Sequence, residues 1–144
     1  MTTFEKINDV LVNLFQEIWE LEEKAIITEE FKDITNNDMH VIEAIGMGTP
    51  KNMSSIAKEL SVTVGTLTIA MNSLVKKGYV SRVRSAQDKR VVLLSLTDKG
   101  LSAYEKHAAF HQKMVSTVME GLDGQEMEVL AHALEKLRGY FKVL

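Results

Sequence analysis

Residues 55–96, SIAKELSVTVGTLTIAMNSLVKKGYVSRVRSAQDKRVVLLSL, decide the fold of this chain. Their apolar spacing predicts a short helix ending near Leu60, a three-residue turn, and a second helix over residues 64–77. Ser54 or Ser55 can cap the first helix, because a serine hydroxyl accepts a hydrogen bond from a backbone N–H of the first turn. The stretch therefore begins with two short helices separated by a tight turn.

A small β-hairpin is predicted directly after these helices. Gly78 ends the second helix, since glycine tolerates the left-handed backbone of a helix C-terminus. Residues 79–84 alternate between polar and apolar side chains, which indicates a strand; a polar tip at residues 85–89 and a second, mostly apolar strand at residues 90–96 follow. The expected fold class is mainly α with a small β-hairpin wing, in a winged helix-turn-helix arrangement.

Long amphipathic helices are predicted on both sides of this module. Apolar residues three and four apart indicate a helix over residues 4–29, and the run Thr35-Asn36-Asn37 offers an N-cap for a second helix that stops at Gly46. Apolar seams with heptad spacing continue through residues 98–143. Such seams predict a homodimer, because one small chain cannot bury them alone. We expect one domain over residues 1–144, with a core module at about 36–97 and dimerisation helices at about 4–29 and 98–143.

The composition narrows the class of protein. Hydrophobic residues make up 45% and charged residues 26% of the 144 positions, which is typical of a globular chain. The absence of cysteine excludes a disulfide framework, a cysteine-based zinc finger and a thiol redox sensor. No apolar run is long enough to span a bilayer and no secretory signal is evident, so a cytoplasmic location is expected. The sequence contains no glycine-rich phosphate loop and no arrangement of residues that specifies a reaction, so neither an enzyme nor a cofactor is predicted.

Charge is distributed unevenly along the chain. Residues 76–90 carry six basic residues and one acid, a net charge of +5, although the whole chain has a net charge of −3. Residues 1–31 carry a net charge of −6. A basic patch on an acidic body predicts a surface that binds phosphate groups of nucleic acid. The alternative is a solvated loop in which the charges cluster by chance.

Candidate DNA contacts lie on the second short helix and on the hairpin. Small polar residues on the helix can reach phosphates or base edges, and arginines on a narrow tip can enter the minor groove. Asp88 can hold a neighbouring guanidinium in one orientation, or it can simply favour a turn. The predicted DNA-binding residues are Thr63, Gly65, Thr66, Thr68, Asn72, Lys76, Arg82, Arg84, Asp88, Lys89 and Arg90.

Several motifs resemble the MarR family of regulators. They are residues 55–62 (SIAKELSV), residues 74–80 (LVKKGYV), Asp88-Lys89-Arg90, and residues 96–100 (LTDKG), in the order and spacing of that family. The resemblance covers the whole chain and implies a dimer that presents two winged modules to palindromic double-stranded DNA. Within the family, residues 31–34 (FKDI), Met39-His40 and residues 82–92 look like repressors of fatty-acid biosynthesis genes. That likeness implies acyl chains on acyl carrier protein as the co-repressor.

Three histidines admit two interpretations. His107 and His111 are four residues apart on one helical face, and His40 opens the second helix, so together with a carboxylate they can form a tetrahedral zinc site. Zinc-responsive MarR relatives are similar at these histidines, but they add a cysteine, and a glutamate at the place of Met39. The favoured interpretation is structural: His111, at a seam position, is a core histidine hydrogen-bonded to a neighbour, and His40 lies nearby for the same reason. A zinc-responsive regulator remains the alternative.

An effector cavity is expected between the winged module and the long helices. Methionine and aromatic side chains suit a flexible acyl chain, although the same side chains also build ordinary cores. The candidate lining residues are Phe15, Ile18, Trp19, Met39, Ile42, Tyr104, Phe110 and Met114.

Overall fold

A computed structural model of the chain describes residues 1–28 and 30–143. It divides into two compact units, Met1–Ala108 and Ala109–Leu144. Residues 29 and 144, which end the predicted first helix and the predicted single domain, lie outside the described residues. The helices and strands are α1 (Thr3–Asp9), a π-helical segment (Val10–Leu14), α2 (Phe15–Ile26), α3 (Asn36–Ile45), β1 (Lys51–Asn52), α4 (Met53–Leu60), α5 (Val64–Lys76), β2 (Val80–Arg84), β3 (Val92–Leu96), α6 (Asp98–Glu120) and α7 (Gly124–Lys142). The predicted fold class is thus confirmed.

The N-terminal helix is shorter than predicted. It runs from Thr3 to Ile26, and the π-helical segment interrupts it. Ile27 leaves helical geometry, with φ −79° and ψ 94°, so the predicted continuation beyond Ile26 is wrong. The run Ile26-Ile27-Thr28 is β-branched, and such side chains lose rotamer freedom in a helix.

Capping defines the helices of the central module. Thr35 and Asp38 form a capping box at the start of α3, which confirms the predicted N-cap. The prediction for α4 is wrong, because Asn52 rather than a serine caps it. The side-chain oxygen Oδ1 of Asn52 accepts a hydrogen bond from the Ser55 N–H at 2.8 Å. Ser54 and Ser55 lie inside the first turn.

The wing, defined here as β2, β3 and the connecting residues 85–91, belongs to a three-stranded antiparallel sheet. The strand order is β1-β3-β2. Val80 pairs with Leu96 and Arg84 pairs with Val92, so the hairpin register is regular. The two-residue strand β1 was not predicted, because two residues are too few to show an alternating pattern.

The core lies within the first unit. Side chains from α3, α4, α5, the sheet and the start of α6 meet there. Its largest fully buried side chains are Tyr79, Phe31, Met39, Ile42, Ile45, Ile56, Leu67, Met71, Leu74 and Leu94. The helix-turn-helix therefore packs on its own sheet rather than on a partner.

The segment LTDKG at residues 96–100 fixes the start of α6 against the end of α5. The Thr97 hydroxyl donates to the Gly78 carbonyl at 2.5 Å and accepts from the Gly100 N–H at 3.2 Å. A Cβ at Gly100 would lie 2.1 Å from the Tyr79 carbonyl oxygen. Only glycine permits this contact, which accounts physically for the last residue of the motif.

Large apolar side chains remain exposed on the terminal helices. In the first unit they include Phe4, Ile7, Val10, Val12, Leu14, Phe15 and Leu21. In the second unit they include Val115, Val118, Met119, Val129, Leu130, Leu134, Tyr140, Phe141 and Val143. Within the described residues, no helix is long and apolar enough to cross a membrane.

Candidate nucleic-acid interface

The second helix of the helix-turn-helix, α5, has two opposite faces. Leu67, Met71 and Leu74 are buried and attach it to the core. The opposite face is an exposed stripe, called here the outward stripe and formed by Gly65, Ile69, Asn72 and Lys76. These residues are separated by four, three and four positions, so they follow one side of the helix. An α-helix that presents one face in this way fits the major groove of B-DNA.

The predicted threonines surround the N-terminus of α5. Thr63 is the N-cap and accepts a hydrogen bond from the Thr66 N–H at 3.1 Å. The Thr63 hydroxyl also donates to the Thr66 hydroxyl at 2.9 Å, and the Thr68 hydroxyl donates to the Val64 carbonyl at 2.8 Å. These hydroxyls stabilise the helix, but each oxygen keeps acceptor capacity.

Asn72 connects α5 to the wing. Its side-chain oxygen accepts a hydrogen bond from Arg82 Nη1 at 2.7 Å. Because a guanidinium can only donate, this bond directs the Asn72 oxygen towards Arg82 and leaves the NH₂ group as the donor for other partners. One predicted DNA contact thus orients another.

Asp88 makes a bidentate pair with Arg90 near the tip of the wing. Arg90 Nε donates to Asp88 Oδ1 and Arg90 Nη2 to Asp88 Oδ2, each at 3.1 Å. The Arg90 N–H also donates to Asp88 Oδ1 at 3.0 Å, which forms the turn. These bonds hold the pKa of Asp88 below its ordinary value. Asp88 therefore shapes the turn and also orients the guanidinium, which is 90% exposed.

The remaining basic residues lie at the edge of the wing. Arg84 Nη1 donates to the Lys89 carbonyl at 2.9 Å and so closes the base of the tip. Arg84, Lys89 and Lys76 are all exposed. Cations on the wing therefore lie beside the outward stripe, and Lys76 ends that stripe with a further positive charge.

A cleft of about 490 Å³ lies between the wing and the N-termini of α4 and α5. Two guanidinium groups, a helix N-terminus and a threonine border it, and this set of donors suits phosphate oxygens. Its lining residues are Asn52, Met53, Ser54, Val64, Thr68, Arg82, Arg90, Val91 and Val92.

Sequence reasoning missed Ile69 on the outward stripe and, in this cleft, Asn52, Met53 and Ser54. Ile69 was passed over because only small and polar residues were considered as DNA contacts. Its spacing from Gly65 and Asn72 is the signal that could have found it. Asn52 and Ser54 were missed because their place beside Arg82 depends on tertiary packing.

Each of the three candidate histidines has a carboxylate or aromatic neighbour. His107 is buried, with Nε2 bonded to Glu22 and Nδ1 3.6 Å from Glu43 Oε1. His40 packs edge-on against Trp19, with 5.9 Å between ring centroids. His111, in the second unit, is half-buried with its ring 5.8 Å from that of Phe110.

The candidate effector residues fall into three groups. Met39 and Ile42 are fully buried in the packed core, and Tyr104 packs against that core. In the first unit, Phe15 and Trp19 are exposed and Ile18 is half-buried; Phe110 and Met114 are half-buried in the second unit. The lining of an effector cavity by these eight residues stays a prediction.

Comparisons with known proteins agree with this geometry. The family described as "Transcriptional regulator SarA/Rot" matches residues 24–107, which is more than half of the chain. The crystal structure of Streptococcus pneumoniae FabT in complex with DNA is similar with a TM-score of 0.89 and 38% identity, covering 96% of this chain and 97% of that one.

Two curated relatives extend the likeness. The multiple antibiotic resistance protein MarR of Escherichia coli is 32% identical over 106 residues, or 73% of this chain and 74% of MarR. The transcriptional regulator ZitR of Lactococcus lactis is 30% identical over 112 residues, or 76% and 77% of the two chains.

The fold and the matches define a winged-helix transcriptional regulator. The chain belongs to the MarR/SarA family, and the sequence-based assignment to the MarR family is confirmed.

Proposed function

We propose that this protein is a homodimeric DNA-binding repressor that binds a palindromic operator. The observation that carries the proposal is the outward stripe of α5 flanked by the wing cations, in a chain so similar to FabT, which was crystallised with DNA. Phosphate contacts from the wing would fix the register, and the outward stripe would reach base edges.

The exposed faces of the terminal helices support dimerisation. Exposed large apolar side chains in this number are unusual on a monomer and indicate an interaction site. Two modules related by a two-fold axis would read half-sites about one helical turn apart, roughly 10 base pairs centre to centre.

The proposed targets are fatty-acid biosynthesis genes, with acyl-acyl carrier protein as the co-repressor. Support comes from the resemblance of residues 82–92 to repressors of such genes and from the similarity to FabT. A carrier-bound acyl chain needs an apolar channel with cations at its mouth. Lys51 and Lys106 are engaged with the Ala44 carbonyl and the Thr28 hydroxyl, so exposed Lys32 is the favoured contact for the acidic carrier.

Fluorescence anisotropy with a labelled operator tests the effector. Long-chain acyl-acyl carrier protein should raise operator affinity about tenfold, which needs only about 1.4 kcal/mol of differential affinity between two conformations. The unacylated carrier should change it little, and Lys32→Glu should weaken the acyl effect more than Lys113→Glu. Equal curves with both carrier forms, or release of DNA by the acyl form, would refute co-repression and leave the repressor assignment intact.

A zinc-responsive regulator is the second candidate. The observation that favours it is the burial of the His107 imidazole against the Glu22 carboxylate, with the Glu43 carboxylate near its other nitrogen. Imidazole and carboxylate are both zinc ligands. If zinc controls the protein, chelation should abolish operator binding and added zinc should restore it. His107→Ala should remove this dependence on zinc, whereas His132→Ala, at an exposed position, should keep it. We expect operator binding to persist in chelator.

A further inference from the structure

Ile69 occupies an unusual place on α5. It lies at the middle of the outward stripe, and its side chain is 74% exposed. Isoleucine is a poorer helix former than alanine, because its branched side chain loses rotamer freedom. Neither burial in the core nor helix propensity therefore explains an isoleucine here.

Gly65, one turn earlier on the same stripe, is equally unexplained by the chain's own packing. Among the described residues, a Cβ added at Gly65 would approach only the Thr63 hydroxyl, at 3.9 Å. Its φ is not positive, so the backbone does not require glycine. Gly65 is the second residue of α5, and glycine has a lower helix propensity than alanine. Both residues make sense if an external surface approaches this side of α5 closely.

The polar groups of α5 do not supply the usual base-reading contacts. Residues 62–75 contain no charged side chain and no glutamine. Asn72 is the residue on the stripe that could bind adenine through two hydrogen bonds, and its oxygen already accepts from Arg82. The centre of the stripe is therefore apolar.

We propose that Ile69 is a specificity-determining residue that reads the C5 methyl group of thymine in each half-site. This inference rests on the proposed DNA-binding function. In the major groove, the thymine methyl is the apolar group that distinguishes one base from the others. Gly65 lets the helix approach closely enough for Ile69 to bury that methyl, and the wing cations hold the phosphates on either side. The protein thus recognises a required thymine by apolar contact rather than by a hydrogen bond.

Replacement of thymine by deoxyuridine tests this role, because it removes only the methyl group. Operators are first selected from a random duplex library with the full-length protein. Each thymine of the half-site is then replaced symmetrically, and affinity is measured by anisotropy. At one half-site position, the operator affinity of the wild type should fall about fourfold for each methyl group removed, or about fifteenfold for the whole palindrome.

Three variants complete the test. Ile69→Ala should bind thymine and uracil operators equally at that position, and Ile69→Val should keep part of the difference. Val83→Ala, which changes an exposed apolar side chain on the wing, should keep the full difference. Ile69→Ala should fold normally, because the side chain is exposed and alanine favours the helix.

The outcomes separate the inference from the function beneath it. If uracil lowers the affinity of the wild type at no position, the role of Ile69 is refuted while DNA binding stands. The same holds if uracil lowers the affinity of Ile69→Ala as much as that of the wild type. If no duplex is enriched from the library, the proposed function itself fails, and the role of Ile69 fails with it.

Discussion

The winged module and the terminal helices use the same apolar periodicity with opposite results. In α5, Leu67, Met71 and Leu74 are fully buried within one chain. In α7, Leu130 and Leu134 continue a similar pattern but remain exposed. Periodicity therefore shows which face of a helix seeks burial, whereas the fold decides whether the same chain can supply it.

Exposed apolar residues also differ between the two regions. On the terminal helices they are numerous, which suits a large apolar partner such as a second copy of the chain. On α5, Ile69 is flanked by glycine, asparagine and lysine, which suits a mostly polar and anionic partner. The surroundings of an exposed isoleucine indicate its partner better than its own exposure does.

Disruption of the terminal-helix surface should have the largest effect. Leu134 is 53% exposed in the chain and lies on the seam of α7. Leu134→Glu would place a charge in the expected interface, so the dimer dissociation constant should rise by about 100-fold or more, equivalent to about 3 kcal/mol. Light scattering at micromolar concentration measures this change.

Ile69→Glu is the matched control for that experiment, because it puts the same charge on an exposed apolar site of the module. It should leave the dimer intact while it reduces DNA binding. A wild-type protein that scatters as a monomer, or a dimer unaffected by Leu134→Glu, would contradict the assignment of this face to dimerisation.

Removal of one wing cation should have the next largest effect. Arg90→Ala should weaken operator binding about tenfold and lower the slope of log affinity against log salt by roughly two, since a dimer would lose two phosphate contacts. Lys113→Ala, at an exposed position of α6, is the control and should keep the wild-type slope. An unchanged slope in Arg90→Ala would show that this guanidinium does not contact the backbone of DNA.

Local sequence signals were sufficient for most of the fold. Thr35, Gly46 and Gly78 act within a few residues of their own position, so the boundaries that they set are visible in the sequence. Strand β1 and the end of α2 were not visible in the sequence. The pairing of β1 with β3 and the packing of Ile26 in the core depend on distant residues.

The candidate site was predictable in composition but less so in geometry. The basic character of the wing follows from the sequence alone. The bond between Asn72 and Arg82 does not, since it depends on how α5 packs against β2. Met39 illustrates the same limit: its residue type suits acyl binding, but its complete burial among core residues depends on the fold.

Tyr79→Phe should sharpen the description of the module's core with a smaller effect. The buried Tyr79 hydroxyl donates to Asp33 Oδ1 at 2.5 Å, and this bond, with help from Lys99, lowers the pKa of Asp33 below its ordinary 3.8. Burial and Asp33 also raise the pKa of Tyr79 far above its ordinary value. Loss of the hydroxyl should reduce the free energy of unfolding by about 1 kcal/mol.

The pH dependence of unfolding provides a second measurement of the same bond. A carboxyl group with a lowered pKa stabilises the fold above its ordinary pKa, and this stabilisation disappears as the pH falls through the lowered value. Urea titrations of the wild type should therefore show a loss of stability below about pH 4 that Tyr79→Phe reduces. Asp33→Asn should remove the same dependence but keep an acceptor for the hydroxyl. Parallel pH profiles for all three proteins would contradict this account.

The smallest effect is expected from Asp88→Asn, which separates the two roles of Asp88. Asparagine can still accept the Arg90 N–H and keep the turn, but it loses the second charged oxygen that fixes the guanidinium. It also removes one negative charge per chain from the wing, so affinity for non-specific DNA should rise. If the carboxylate orients Arg90 for the operator, specific affinity will not rise in step, and the ratio of specific to non-specific affinity should fall about threefold, or about 0.7 kcal/mol.

The bonds with Arg90 lower the pKa of Asp88, so the carboxylate stays charged and this ratio should not vary between pH 6 and pH 8. Anisotropy with operator and scrambled duplexes measures both affinities, and a parallel rise of the two would leave Asp88 with the turn as its only role.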